Sequence, residues 1–160
     1  MAAVSDTSPL RYFIAIGRVN LLPLVVGPIT VPKAVLEKLT HPSAPSSVRK
    51  WFDVRPGWFS VRAVEAYVDP RLSEILDRGE CEAIQLALAV KPDFILLDER
   101  LGRREASLLG LNVIGALGIL REANRLGFLP NPMVVLEELR LQGFRISKRL
   151  IHEFRLKIQG

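Results

Sequence analysis

Residues 76–100, LDRGECEAIQLALAVKPDFILLDER, decide the fold. Gly79 breaks a short helical pattern marked by Leu72, Ile75 and Leu76. From Glu80 to Val90 the apolar residues Ala83, Ile84, Ala87 and Leu88 recur on one helical face. After the turn-forming Lys91-Pro92-Asp93 comes a continuous apolar run, Phe94 to Leu97, which suits a central parallel strand covered on both faces. That run stops at Asp98-Glu99-Arg100, so acidic side chains stand just past a strand end.

The rest of the chain repeats this alternation. Ala2 to Ser5 reads as a buried strand ending at Asp6, and Ser8-Pro9 reads as a helix start with Ser at the N-cap and Pro at the first helical position. A second strand is expected near Ile29 to Val31, and Pro32 opens a helix through Leu39. His41 to Ser47 reads as a loop, and a helix beginning near Ser46 ends about Phe52. Trp58 to Val64 is a strand, joined by a loop to Asp69-Pro70. Leu101 to Leu109 is helical with Gly110 as its C-cap, and Asn112 to Ile114 is a short strand. Helices follow over Gly115 to Leu126, Pro132 to Leu141 and Ser147 to Ile158. Alternating strands and helices argue for an α/β fold with a mostly parallel sheet flanked by helices.

The bulk composition agrees. The 160 residues suit one domain, with a core over about 2–129 and a helical tail over about 130–160. Apolar residues make up 49% and charged residues 24%, which is ordinary globular usage. A net charge of +5 would favour a phosphate backbone as partner. Cys81 is the sole cysteine and the two histidines, His41 and His152, are far apart, so neither a disulfide nor a Cys/His metal cluster is expected. The first residues lack the pattern of a signal peptide, and no run of about 18 apolar residues offers a membrane span, so a cytoplasmic location is expected.

Chemistry is expected where the acids gather. In open parallel sheets, sites form beyond the carboxyl ends of the strands. Asp6 follows the first strand, Asp98 and Glu99 follow the later one, and Glu80 opens the helix that feeds it. Carboxylates brought together repel, and a hard dication such as Mg²⁺ or Mn²⁺ neutralises them. Each acid alone has a plainer reading: an Asx turn for Asp6, a helix N-terminus for Glu80. No Gly-rich phosphate loop follows the first strand, which counts against a doubly wound nucleotide-binding domain or phosphatase.

The segments VSDTSPL (4–10), VPKAVLEKL (31–39), LDRGECEAI (76–84), LLDER (96–100) and GLNVIGALG (110–118), in this order, resemble the PIN-domain family, in its VapC-like branch (DUF3368). The resemblance implies a PIN-like three-layer sandwich and a Mg²⁺- or Mn²⁺-dependent ribonuclease, acting as the toxin of a toxin–antitoxin pair. It places catalytic acids at Asp6, Glu80 and Asp98, with Glu99 as a further metal ligand and Ser8 near the site. Its partners would be RNA and a cognate antitoxin, with a homodimer contact open through the apolar Gly115–Leu126 helix. Arg100 and Arg104, four apart on one helix face, are candidates for holding substrate phosphates, whereas Arg103 reads as a solvated residue. At one position the chain departs from the pattern. Where the family has an acid before the residue matched by Leu39, this chain has Lys38, and the nearby acid is Glu37. One residue is about 100° of helix rotation, so Glu37 either is presented by a shifted helix or faces away. The alternative reading is therefore a weak or inactive module that binds RNA or a protein.

Overall fold

The computed structural model describes residues 1–64 and 69–158; the loop expected between Val64 and Asp69 lies largely outside them. Five parallel strands form one sheet: β1 (Ala3–Ser5), β2 (Ile29–Pro32), β3 (Phe59–Arg62), β4 (Phe94–Leu96) and β5 (Val113–Ile114). Their order is β3-β2-β1-β4-β5. The chain steps outward from β1 to β3, then returns to the other side of β1 with β4. The switch in direction thus falls between β1 and β4, where a crevice opens at the carboxyl ends of the strands.

Helices cover both faces, as a parallel sheet of short apolar strands requires. On one face Ala3, Ile29, Val31 and Leu96 pack with α1 (Thr7–Ala15), α2 (Leu21–Val26), α3 (Lys33–Thr40) and α4 (Ser46–Asp53). The same layer takes in α8 (Ala116–Arg125), α9 (Pro132–Leu141) and α10 (Lys148–Lys157) through Ile119, Leu136 and Phe154. On the other face Val4, Ile95 and Leu97 pack with α5 (Pro70–Ile75), α6 (Arg78–Val90) and α7 (Arg100–Leu108). The result is the expected three-layer α/β sandwich. Among the described residues no helix is long and apolar enough to cross a membrane.

Two local expectations need correction, and one helix, α2, is not among the elements expected. The first helix begins at Thr7, with Asp6 rather than Ser8 in the N-cap position and Pro9 inside the first turn. Pro9 is still tolerated there, because first-turn N–H groups have no partner within the helix. Residues 21–26 form α2 although Val25 and Val26 favour strands; Leu22, Val25 and Val26 are buried, and burial outweighs propensity. Finally, Gly79 does not end a helix but lies in the first turn of α6. That helix is capped by Asp77, whose side chain accepts from Glu80 N–H while the Glu80 side chain reaches back to Asp77 N–H.

Candidate active site at the strand ends

Asp6 is delivered by β1, whose residues Ala3–Ser5 are all buried. Its N–H donates to Leu96 O at 3.0 Å, which ties it to β4 across the crevice. An Asp at an N-cap commonly turns its carboxylate onto the helix N–H groups. Here it makes no such cap. The residue is 3% exposed, and its Oδ1 is buried without a hydrogen-bond partner.

Glu80 reaches the same place from α6. It is 6% exposed. Oε1 accepts a long bond from Asp77 N (3.4 Å), while Oε2 is buried without a partner. A Cβ at Gly102 would lie 2.5 Å from that Oε2, so a larger residue there would push the carboxylate aside. Gly79 plays the matching part beside Asp6: a Cβ there would stand 3.3 Å from Asp6 Oδ1 and 3.3 Å from Lys38 Nζ.

The electrostatics follow from this crowding. Burial, opposed by the Thr7 N–H and by Lys38 and abetted by Asp77 and Glu99, pushes the Asp6 carboxyl up to about 6. Burial and the negative charges of Asp6, Asp77 and Glu99 push Glu80 up to about 7. Asp77 goes the other way. Burial would raise it, but the hydrogen bonds from Lys38 and from Glu80 N–H prevail and hold it below the ordinary range.

Asp98 occupies a different corner. Its Oδ1 accepts from Ala116 N at 2.8 Å, which fastens β4 to the start of α8. Burial raises its carboxyl, whereas the Ala116 N–H and Arg103 lower it. The other oxygen, Oδ2, is buried without a hydrogen-bond partner. Arg103, expected to be solvated, is half-buried and donates to Leu97 O at 3.0 Å. A Cβ on Gly115 would collide with the Arg103 guanidinium and lie 2.9 Å from Asp98 Oδ1. Asp98 and Arg103 line a cavity of about 350 Å³ with Gly115, Phe144 and Arg145.

The other expected residues divide clearly. Glu99 is exposed at the N-cap of α7, and its charge reaches Asp6, Glu80 and Asp98. Glu37 is turned away: it is exposed and pairs with Arg78 at 3.4 Å. Lys38 is the α3 residue that reaches the acids, donating to Asp77 Oδ2 at 2.7 Å. Ser8 is half-buried in the first turn of α1, and Arg100 and Arg104 are exposed on α7. Beside the acids a cleft of about 500 Å³ is lined by Thr7, Arg11, Lys38, His41 and Arg78, among others.

Residues 2–159 match the PIN domain family DUF3368. The chain belongs to the PIN-domain family. The match spans α9 and α10 as well, so the family extends past Leu129 through the helical tail. No curated protein is similar to the chain. PIN domains are in general nucleases that act on nucleic acid with divalent metal ions. The residues of this PIN domain suit such an ion in one respect and limit it in another. Asp6 Oδ1 and Glu80 Oε2, unpartnered and mutually repelling, are the donors a hard dication takes. Among the described residues, however, no group of three or more His, Cys, Asp or Glu side chains is arranged to hold a metal. The donor set therefore fits an ion held by one or two carboxylates and completed by water or substrate, as Mg²⁺ commonly is, and not a full protein cage.

Proposed function

We propose that this PIN domain is a Mg²⁺- or Mn²⁺-dependent endoribonuclease and the toxin of a VapC-like toxin–antitoxin pair. The observation that carries the reading is the pair of buried carboxylate oxygens, Asp6 Oδ1 and Glu80 Oε2, left without partners on residues whose charges repel each other. Burying charged groups unpaired is costly, so a fold that does so gains from a cation at that place. A bound dication would neutralise charge on the scissile phosphate and activate water.

The chain's own residues have separate tasks in this reading. Asp6 and Glu80 hold the ion, with Glu99 next to them. The cleft beside them offers Arg11, His41 and Arg78 to the phosphates of a single strand, and Arg100 and Arg104 add charge on the α7 side. Asp98 is a positioning residue: through Ala116 N–H it sets the start of α8 against β4. Hydrolysis joins a water oxygen to phosphorus and breaks the ester bond to the leaving ribose oxygen, which takes up a proton. A cognate antitoxin would cover the acidic rim, and α8 remains open to a second copy of the chain. The test is cleavage of single-stranded RNA by the purified chain in Mn²⁺. Parent-like cutting by Asp6→Asn and Glu80→Gln would falsify the assignment.

A second reading has its own support. Lys38 among the acids suits a module that binds RNA or a protein without cutting. RNA affinity retained in a chain that binds no Mn²⁺ would favour it.

A further inference from the structure

We propose that Lys38 is a built-in counter-cation of the acidic rim, which limits the rim to one divalent ion and weakens its hold on that ion. The inference rests on the metal-dependent reading above. Lys38 Nζ donates to Asp77 Oδ2 at 2.7 Å, while Asp77 Oδ1 accepts from Glu80 N at 2.8 Å. Both Asp77 oxygens are thereby occupied, and a third carboxylate that lies among the acids is withdrawn as a ligand.

The ammonium also lies near Asp6. It and Asp6 Oδ1 each lie 3.3 Å from the one point where a Cβ on Gly79 would stand. Its charge is felt at Asp6, opposing the effect of Asp77 and Glu99. The placement is held by more than the lysine tail. Ala34 N, in the first turn of α3, donates to Glu82 Oε1 on α6 at 3.2 Å, which fixes α3 against the helix that carries Asp77 and Glu80. Arg78 reinforces the same contact by pairing with Glu82 at 2.8 Å and Glu37 at 3.4 Å.

What Lys38 leaves is specific. Asp6 Oδ1 and Glu80 Oε2, on residues 3% and 6% exposed, have no hydrogen-bond partner. Two oxygens suffice for one hydrated dication. A second dication would have to displace an ammonium already seated on Asp77. The fixed positive charge also opposes the first ion, with solvent screening part of the repulsion because Lys38 and Asp77 are exposed.

Mn²⁺ titration of the whole chain, by calorimetry and by electron paramagnetic resonance without RNA, tests this. The parent is expected to bind one Mn²⁺. Lys38→Gln should bind it roughly tenfold or more tighter, since a unit charge is lost beside the ion. Lys38→Arg, which keeps the charge, should stay near the parent, and Lys38→Glu should bind tightest and admit a second ion. Circular dichroism confirms the fold, and should Lys38→Glu fail to fold, the Gln and Arg variants decide alone. Equal affinity of the parent and Lys38→Gln, a Lys38→Arg as tight as Lys38→Gln, or two ions on the parent would overturn the inference while leaving the nuclease reading intact. No Mn²⁺ on either the parent or Lys38→Glu would instead overturn the metal-dependent reading itself.

Discussion

Two acidic corners share the carboxyl edge of this sheet, and they handle burial differently. At the β4–β5 corner, Asp98 has a helix N–H on one oxygen and the Arg103 guanidinium nearby, while its other oxygen is buried without a partner and burial still raises its carboxyl. At the β1 corner, Asp6 and Glu80 likewise each keep a buried oxygen with no partner, but there the two charges also repel each other, and the cation among them, Lys38, is bonded to Asp77 instead. Both corners use glycine to permit the approach, Gly115 in one and Gly79 and Gly102 in the other. The difference shows that acids at a strand end are not equivalent. One set closes the structure, and the other stores repulsion that a ligand can relieve.

The largest effect expected from this contrast is on catalysis. Removing an ion-holding charge costs several kcal/mol of transition-state stabilisation, so Asp6→Asn should cut RNA about a hundredfold more slowly or worse. The same substitution should leave the melting temperature of the metal-free chain unchanged or higher, because it removes an uncompensated buried charge. A measured loss of stability in Asp6→Asn would erase the distinction between the corners.

Asp98→Ala should do the reverse. It deletes a hydrogen bond to a charged acceptor and leaves Ala116 N–H unmet, at a cost of about 1.5–3 kcal/mol in denaturant unfolding. If Asp98→Ala is instead as stable as the parent, Asp98 belongs with the stored charges and not with the closed corner.

The pH dependence sharpens the comparison further. With folded values of about 6 for Asp6 and about 7 for Glu80, against ordinary values of 3.8 and 4.5, the folded chain holds more protons than the unfolded chain in between. Their joint effect is that stability falls as pH rises from about 4 to 7. Thermal melts without metal should show this slope, Asp6→Asn with Glu80→Gln should flatten it, and Mn²⁺ at pH 7.5 should restore stability. The smallest effect is reserved for Glu37→Gln. It breaks an exposed pair with Arg78 and should change stability by less than about 1 kcal/mol and Mn²⁺ affinity not at all. A marked drop in affinity would show that Glu37 swings into the site.

Much of this was legible along the chain. The strand at Phe94–Leu96 and the acids after it follow from an apolar run ended by charge, and the parallel sheet follows from the alternation of patterns. Helix α2 was not legible, because Pro23, Val25 and Val26 speak against a helix and only the burial of Leu22, Val25 and Val26 overrides that. Asp77 was missed as a partner in the site, although Asp77-x-x-Glu80 is a capping-box spacing that could have revealed it. Arg103 looks solvated along the chain because helical spacing alone does not tell that Gly115, on another element, leaves room for its guanidinium. The substitution at Lys38 was visible, but its consequence depended on how α3 is rotated.

The order of residues alone determined a parallel sheet with acids beyond the ends of β1 and β4, because strand length, polarity and turn chemistry are local properties. Which carboxylate oxygens remain without partners was decided only in three dimensions. That depends on side-chain rotation and on helices separated by dozens of residues meeting over a glycine, and neither is encoded at any one position.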